Sequence, residues 1–428
     1  MDTIFAQATA LGRGGVSVIR VSGRDALSVA ASVCGSLPKF RVAAIRSLKS
    51  SDGEILDQAL VIAFKGPASF TGEDIVEFQV HGSIAVVQSV MTALSDDSRA
   101  RLAEPGDFTR RALENGRLDL SQVEGLADLI DAETEAQRKQ AQRVLSGALG
   151  KRVELWRRDL IRAAALLEAT IDFADEEVPV DVSLEVCELL DLVMRDLGRE
   201  IDGSHVAERI KSGFEVAIVG PPNAGKSTLL NKLAGRDAAI TSEMAGTTRD
   251  IIEVRMNLGG LPVTFLDTAG LRESSDSVEA IGISRAIERA KSADLRVFLV
   301  SPGDDLLLKP IENDICLIPK IDLVEDSNLG VSGKTGHGVS SMLSNIQEIL
   351  GLQATNAGLA THERHRVAML RAFEGLGEAR EVLGRGPDFY DIASEEMRSS
   401  IRALETLVGR IDVENLLDEI FSSFCLGK

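Results

Sequence analysis

The sequence is poor in features that mark several protein classes. Its cysteines, Cys34, Cys187, Cys316 and Cys425, lie far apart and form no Cys-x-x-Cys pair, so neither a disulfide framework nor a cysteine zinc site is encoded. A reducing, cytoplasmic setting is therefore expected. No run of about 18 apolar residues occurs, and residues 1–20 lack the apolar stretch of a signal peptide. We expect neither export nor a membrane span.

Basic charge and aromatic rings are also scarce. Lys and Arg number 47 against 66 Asp and Glu, which gives a net charge of −19, and the chain has one Trp and one Tyr. A chain this negative cannot bind a polyanion through its overall field, so a nucleic acid must meet a local basic patch or another protein. Few side chains are available to stack on an RNA base.

The length and composition suit several globular domains. The 428 residues, 44% of them hydrophobic, correspond to roughly two to four domains. Runs rich in β-branched residues at 16–21, 59–64 and 75–80, bounded by turn residues, indicate an α/β or α+β opening segment. Apolar residues recur at helical spacing over about 118–210 and again over 359–428.

The middle of the chain alternates strands and helices. Residues 214–219 form a buried-strand run, and the alternation continues to about residue 352. We infer an α/β domain inserted into a helical domain whose halves flank it, although helical tails that pack separately would give the same pattern. The predicted domains span residues 1–117, then 118–210 with 353–428, and 211–352.

A phosphate loop lies in this middle segment. Residues 220–227 read GPPNAGKS, which fits G-x-x-x-x-G-K-[ST] between a strand and a helix. Backbone N–H groups of such a loop face the phosphates, Lys226 reaches the β and γ oxygens, and the Ser227 hydroxyl can bind Mg²⁺. The predicted GTP contacts here are Asn223, Ala224, Gly225, Lys226, Ser227 and Thr228.

Two further segments complete a GTPase pattern. Residues 267–270, DTAG, follow a strand run, and the Asp267 carboxylate can support the Mg²⁺ shell. Residues 246–250, GTTRD, predict a switch loop in which a threonine completes the Mg²⁺ coordination, although alone they would suit an ordinary polar loop. The predicted GTP contacts of these segments are Ser242, Thr247, Thr248, Asp267, Thr268, Ala269 and Gly270.

Guanine recognition departs from the usual Asn-Lys-x-Asp. Residues 319–322 read PKID, so Asp322 can accept from the guanine N1 and N2 hydrogens while Pro319 offers no side-chain donor. We predict a loss of roughly tenfold in affinity from the missing hydrogen bonds. Residues 332–334, SGK, match the loop whose backbone N–H contacts guanine O6, and Gly333 in place of the usual alanine is compatible with that role. The predicted base contacts are Lys320, Asp322, Ser332, Gly333 and Lys334.

Strings along the whole chain resemble the bacterial tRNA-modification GTPases of the MnmE (TrmE) family. Besides the GTPase segments, they are residues 12–16 (GRGGV), 70–74 (FTGED), 105–111 (PGDFTRR), 115–120 (NGRLDL) and 424–428 (FCLGK). The resemblance implies a multidomain α/β plus all-α fold: an N-terminal α/β domain like tetrahydrofolate-binding folds, a discontinuous helical domain, and an inserted Ras-like P-loop GTPase domain.

The resemblance also implies a way of hydrolysing GTP. The two G domains of a homodimer meet when GTP and K⁺ are bound, and K⁺ serves where other GTPases use an arginine finger. Leu271 stands where Ras-like enzymes carry a water-orienting Gln, and the family's glutamate for this role falls on Glu279. By itself, Glu279 would be a solvent-facing charge in the first turn of a helix. The implied K⁺ ligands are Asn223, Ser242, Met244 and Thr247, and the implied Mg²⁺ ligands are Ser227 and Thr248.

The same resemblance implies a second substrate site and partners. The family's 5-formyltetrahydrofolate contacts map to Arg20, Glu77, Arg117 and Lys428, and Cys425 is a candidate for the modification chemistry, with a small buried residue as the alternative. The implied system adds an aminomethyl or carboxymethylaminomethyl group to C5 of the tRNA wobble uridine. Its other half is an MnmG-type flavoprotein using FAD and NADH, in a heterotetramer. The candidate catalytic residues are Glu279, Lys226 and Cys425.

Other interpretations remain beside this one. A basic-biased stretch over residues 138–162 is a candidate RNA face, and a solvated helix face laced with ion pairs is the alternative. His362 and His365 are expected on a solvated helix face, because no further ligand spacing accompanies them. The alternative functions are a ribosome-assembly or translation-associated GTPase, and a scaffold that binds GTP without hydrolysing it.

Overall fold

The structure is a computed structural model that divides into two compact units, one of Met1–Ala127 with Glu405–Lys428 and the other of Asp128–Leu404. The predicted three-domain bounds stay a prediction. The residues that the structure describes are 2–172, 182–236, 238–240, 253–267, 287–304, 306, 308–323, 330–411, 417, 420, 421, 424 and 427.

A mixed sheet is the centre of the first unit. Its strands are β1 Thr3–Gln7, β2 Val16–Ser22, β3 Ala44–Lys49, β4 Ile55–Phe64, β5 Ile75–His81 and β6 Ala100–Leu102. The strand order is β3-β4-β5-β2-β1-β6, with β6 parallel to β1 and the other neighbours antiparallel. Buried residues alternate with more exposed ones along most of β2 and β4, which lets one face of the sheet form a core.

Helices pack on both faces of this sheet. They are α1 Ala26–Cys34 and α2 Ile84–Ser95 on the face just described, and α3 Asp107–Glu114, whose Phe108 clusters with Ile4 and Ala6 on the opposite face. Val29 of α1 and Val90 of α2 join Phe5 and Phe78 of the sheet in one buried cluster. Ser83 caps α2, because its hydroxyl accepts a hydrogen bond from Val86 N.

Long helices make up much of the rest of the chain. They are α4 Leu120–Ile130, α5 Glu135–Leu145, α6 Ala148–Asp172, α7 Ser183–Ser212, α8 Lys226–Ala234, α9 Val339–Ala354, α10 Glu363–Leu383 and α11 Tyr390–Leu407. A capping box of Thr134 and Gln137 starts α5. Gly213, with φ of 101°, ends α7, and the next residue begins a strand of the second sheet.

The second unit contains a mostly parallel sheet. Its strands are β7 Phe214–Val219, β8 Glu253–Leu258, β9 Leu261–Asp267, β10 Leu295–Leu299, β11 Ile315–Pro319 and β12 Gly330–Val331. The order is β12-β11-β10-β7-β9-β8, and β8 is antiparallel to β9. The carboxyl ends of the parallel strands meet at one edge, where ligands bind in open α/β sheets.

The chain returns from this sheet to the helices across α7. Gly358 N donates to Gly203 O at 3.0 Å, and Leu359 N donates to the buried Glu200 carboxylate at 2.8 Å. A Cβ on Gly203 would lie 2.7 Å from Gly358 N, so the crossing requires glycine. The segments that enter and leave the α/β sheet are therefore both attached to α7.

The architecture confirms the predicted fold class: an α/β segment, an inserted α/β unit and helices on both sides of it. The predicted strands 16–21, 59–64 and 75–80 are confirmed by β2, β4 and β5, and β4 starts four residues earlier, at Ile55. No helix in the described part of the chain is long and apolar enough to cross a membrane.

Candidate nucleotide-binding site

The phosphate-loop sequence lies between β7 and α8, at the carboxyl edge of the sheet. Gly225, the N-cap of α8, has φ of 99°, and Asn223 has φ of 62°. A Cβ on Gly220 would lie 2.5 Å from Leu299 O, so a side chain there would force the loop away from β10. Turns with left-handed residues direct backbone N–H groups into a concavity that suits an anion.

Lys226 is held inside this loop. The side chain is buried, and Nζ donates to Gly220 O at 2.8 Å and to Pro221 O at 3.1 Å. Burial lowers the pKa of the ammonium, and the Asp267 carboxylate opposes that shift. Among the described residues, the Lys226 ammonium is therefore hydrogen-bonded to neutral backbone carbonyls and to no negatively charged group.

Ser227 and Asp267 meet beside the lysine. Ser227 Oγ donates to Asp267 Oδ2 at 2.8 Å. Asp267 Oδ1 is buried and has no hydrogen-bond partner among the residues that the structure describes. A buried carboxylate oxygen without a donor is costly unless a ligand completes it, so these two residues fit the edge of a metal–triphosphate site.

The predicted guanine contacts lie beyond the ends of β11 and β12. Lys320 has φ of 52°, which turns the chain sharply after Pro319. The neighbouring Ser332 side chain is the main cause that lowers the pKa of the Asp322 carboxyl below its usual value. Ser332 is itself buried, and its Oγ accepts from Thr335 N at 3.1 Å. A charged Asp322 with a fixed neighbour is suited to the N–H edge of guanine.

The structure brings together the phosphate loop, Asp267 and the two base loops at one sheet edge. Several predicted site residues lie outside the described residues: Ser242, Met244, Thr247, Thr248, Thr268, Ala269, Gly270, Glu279, Cys425 and Lys428.

The predicted folate contacts fall in the first unit. Arg20 Nε donates to Glu77 Oε1 at 2.9 Å across neighbouring strands, and the guanidinium carbon lies 5.3 Å from the Phe70 ring centre and 5.6 Å from that of Phe108. Arg117 is exposed. The structure therefore pairs Arg20 with Glu77, and it shows no bond from Arg117 to either of them.

Near the end of the chain, Gly427 lies against the end of β1. A Cβ on Gly427 would be 2.2 Å from Gln7 O and 2.8 Å from the Cα of Ala8. The described part of the terminal segment therefore lies on the same sheet as Arg20, whose register partner in β1 is Ala6.

The basic stretch is largely neutralised by neighbouring acids. Ion pairs join it to carboxylates of α5, α6 and α7: Arg138–Glu135, Lys139–Glu135, Arg152–Asp196, Arg157–Glu154, Arg158–Asp159 and Arg162–Glu185. The interpretation of an ion-laced helix face is therefore favoured over that of an RNA face.

The expectation of two solvated histidines is wrong for His365. This residue is fully buried, and its ring lies 5.3 Å from that of His362 in an edge-on arrangement. His362 precedes α10 and contacts the Asp128 carboxylate at 3.3 Å. The spacing predicted that both histidines face solvent, but only His362 is partly exposed.

Two family models match the sequence. Residues 3–117 match the model described as GTP-binding protein TrmE N-terminus, and residues 120–425 match the MnmE helical domain. The matched regions include three of the segments that carry the resemblance, residues 12–16, 70–74 and 105–111, and parts of the segments 115–120 and 424–428.

Full-length relatives and solved structures are also similar. A protein of Roseobacter denitrificans named tRNA modification GTPase MnmE is 69% identical over 428 residues, 100% of each chain. A Ruegeria sp. protein of the same name is 61% identical over 428 residues, again 100% of each chain. A variant of Era from Aquifex aeolicus, solved with GDP·AlF4⁻, is 25% identical over 38% of this chain and 66% of that one, with a TM-score of 0.26. On the family models and the full-length relatives, the chain belongs to the MnmE (TrmE) family of tRNA modification GTPases.

Proposed function

We propose that this chain is a K⁺-dependent GTP hydrolase that acts in tRNA modification. The observation that carries the proposal is the group of buried Lys226 and half-buried Ser227 and Asp267 at the carboxyl edge of a mostly parallel sheet. A cation, a hydroxyl and a carboxylate with one oxygen uncommitted are the side chains that a magnesium-bound triphosphate requires. Family membership supports the reaction and its tRNA setting.

Lys226 is expected to change partners when GTP binds. Its Nζ now donates to two backbone carbonyls, Gly220 O and Pro221 O. The β and γ oxygens of GTP carry negative charge, and charge-assisted hydrogen bonds are roughly twice as strong as neutral ones. Backbone N–H groups at the start of α8 bind the phosphates as well, because a helix N-terminus favours an anion.

Mg²⁺, when bound, would neutralise charge on the β and γ oxygens. Ser227 and Thr248 are the proposed side-chain ligands. Ser227, the ligand that the structure describes, fits this role. Its hydroxyl donates a hydrogen bond to Asp267 Oδ2, which leaves the lone pairs of the hydroxyl oxygen available to the metal. Asp267 Oδ1 is left to accept a second hydrogen bond.

K⁺, when bound, would supply the positive charge that an arginine finger supplies in other GTPases. Its proposed ligands are Asn223, Ser242, Met244 and Thr247. The position of Asn223 within the phosphate loop supports this assignment. Glu279 is the proposed residue that orients the attacking water.

Selection of guanine is assigned to residues after β11 and β12. Asp322, whose pKa the neighbouring Ser332 side chain lowers, accepts from the N1 and N2 hydrogens. Lys320 and the 332–334 turn, with Lys334, enclose the base. Adenine would present an acceptor at N1 to this carboxylate, which leaves both groups unpaired and disfavours ATP.

The first unit is the proposed site of 5-formyltetrahydrofolate. Arg20 uses only Nε for Glu77, and its two Nη groups make no hydrogen bond to the described residues. The Arg20 and Glu77 side chains are 17% and 19% exposed, so a guanidinium donor and a carboxylate acceptor are both accessible to the polar edge of a pterin. Arg117 and Lys428 are the remaining proposed contacts. The Arg20–Glu77 pair supports this assignment.

The proposed assembly is a homodimer joined to an FAD- and NADH-dependent MnmG-type flavoprotein in a heterotetramer. It would add the aminomethyl or carboxymethylaminomethyl group to the wobble uridine in the cytoplasm, with Cys425 as a candidate for the chemistry. Because both segments that connect the G domain contact α7, closure of two G domains would be transmitted through that helix.

Nucleotide binding and turnover by phosphate-loop variants test the proposal. Lys226→Ala should lower GTP turnover by about 10² or more, because a charge-neutralising donor to the phosphates is lost. Lys232→Ala, an exposed lysine on the same helix, is the matched control and should leave turnover unchanged. A Lys226→Ala protein that hydrolyses GTP at the parent rate would refute the site.

A further inference from the structure

Gly333 approaches the helix that follows the phosphate loop more closely than any side chain allows. A Cβ on residue 333 would lie 2.6 Å from Leu229 N, 2.8 Å from the carbonyl carbon of Thr228 and 2.9 Å from the Cα of Leu229. All three are backbone atoms of the first turns of α8, which is anchored by Leu229 N donating to Gly225 O at 2.9 Å. They cannot rotate away as a flexible side chain would, so an alanine would have to displace the turn.

This contact joins the two halves of the nucleotide site. One partner is the turn of residues 332–334, where the buried Ser332 Oγ accepts from Thr335 N at 3.1 Å and its side chain lowers the pKa of the neighbouring Asp322. The other partner is α8, whose start supplies Lys226 and Ser227. The distance between the base loops and the phosphate loop is therefore set in part by backbone packing at Gly333.

Pro319 stands where an asparagine side chain would otherwise connect the base loops to the phosphate loop. It ends β11 and pairs with Val331 in β12, and its ring restricts φ, but it has neither an N–H nor a polar side chain. Lys320 follows in a left-handed conformation. The backbone of the loop after β11 is thus conformationally restricted at residues 319 and 320. No side chain at position 319 connects this loop to the phosphate loop.

We propose that Gly333 is a positioning residue for guanine recognition, and that its packing on α8 replaces the connection that Pro319 cannot make. Moving the turn outward would draw the Ser332 hydroxyl away from Asp322, so that the carboxylate would lose its orientation toward the N1 and N2 hydrogens. The inference rests on the proposed GTP site and deepens it: it assigns base selectivity in this chain to a backbone contact.

A double-mutant cycle in the full-length chain tests the inference. The variants are Gly333→Ala, Pro319→Asn and the double variant, and the probes are GDP and IDP, which lacks the 2-amino group that Asp322 recognises. Gly333→Ala should raise the Kd for GDP about tenfold or more and reduce the ratio of IDP to GDP Kd values at least about threefold. A residue with a merely structural role would not alter that ratio.

The effect of Pro319→Asn in the parent is measured without the Gly333→Ala substitution, so this comparison stands even if Gly333→Ala folds poorly. In the parent, Pro319→Asn should improve the GDP Kd by less than about threefold, and not by the roughly tenfold expected from the sequence, because packing already fixes the loops; in the Gly333→Ala background it should recover about tenfold. A tenfold gain in the parent, or equal gains in both backgrounds, would overturn the inference.

Gly351→Ala is the matched control, since a Cβ at this position in α9 meets no atom within 4 Å. It should leave both Kd values unchanged. If Gly333→Ala keeps the parent Kd for GDP and the parent ratio of IDP to GDP Kd values, the inference is refuted while the proposed function stands. A parent chain that binds neither nucleotide would instead refute the proposed function.

Discussion

Arg296 and Asp314 form a buried ion pair at the amino ends of the neighbouring strands β10 and β11. Arg296 Nε and Nη2 donate to the two carboxylate oxygens at 2.9 and 2.7 Å, and the side chains are 9% and 4% exposed. The carboxylate also accepts from Ile311 N at 2.6 Å. Two parallel hydrogen bonds offset the cost of burying both charges.

Asp314→Ala should therefore destabilise the second unit strongly. It leaves a buried guanidinium without its partner, which costs about 3–5 kcal/mol of unfolding free energy. Urea unfolding followed by circular dichroism measures the loss. Glu381→Ala, which breaks the exposed Arg385–Glu381 pair, is the control and should not shift the midpoint. Equal midpoints for the two variants would contradict the interpretation of the buried pair.

Residue types and spacing predict Lys226, Asp267 and Asp322 as site residues, and the Ser227–Asp267 hydrogen bond beside Lys226 is the part of that prediction that the structure describes. The close approach of Gly333 to α8 was not predictable, because it depends on how two distant loops pack and a glycine for alanine exchange looks neutral in sequence. The burial of His365 was missed for a related reason: polar periodicity does not reveal which helix face meets another helix.

At the scale of elements, Asp128 connects α4 to the end of α7 and the start of α10. Its carboxylate lies 3.0 Å from Lys211 Nζ and 3.3 Å from His362 Nε2. Burial raises the pKa of Asp128, but the hydrogen bonds and charges of His362 and Lys211 outweigh it and leave the pKa below its usual value of 3.8. Thr361 Oγ1 also donates to it at 3.4 Å.

The depressed pKa of Asp128 predicts a pH dependence of stability. A carboxyl with a lowered pKa in the folded state contributes stability above its unfolded pKa and loses it as the pH falls through the folded value. Asp128→Asn should therefore unfold at lower urea than the parent at pH 7, and the difference should shrink between pH 4 and pH 2. A difference that persists unchanged at pH 2 would show that Asp128 acts through packing and not through charge.

Elements with clear periodicity could be predicted, and the others could not. Strands β2, β4 and β5 alternate or carry β-branched runs, so their residues alone indicated them. Strand β3 contains a single fully buried residue, Leu48, and three-residue β6 has none; both owe their pairing to the neighbouring strand and not to a local pattern.

At the scale of the whole molecule, an acidic chain acts in a system whose substrate is a polyanion. The net charge is −19, and the basic stretch of α5 and α6 is paired with acids. We therefore expect the proposed flavoprotein partner, or the first unit with its proposed folate site, to provide the tRNA contacts, while the inserted domain would supply GTP-driven motion. The insertion pattern itself was predictable, because the change from helical spacing to alternating strands and back is long and regular.

The central claim is that a potassium ion assists GTP hydrolysis at this site, and the initial rate of hydrolysis by the full-length chain in KCl and in NaCl at equal ionic strength tests it most directly. The rate should be at least about tenfold higher in KCl, and Glu279→Ala should lower the KCl rate by about 10² or more while GDP affinity stays unchanged. Equal rates in the two salts would contradict the account.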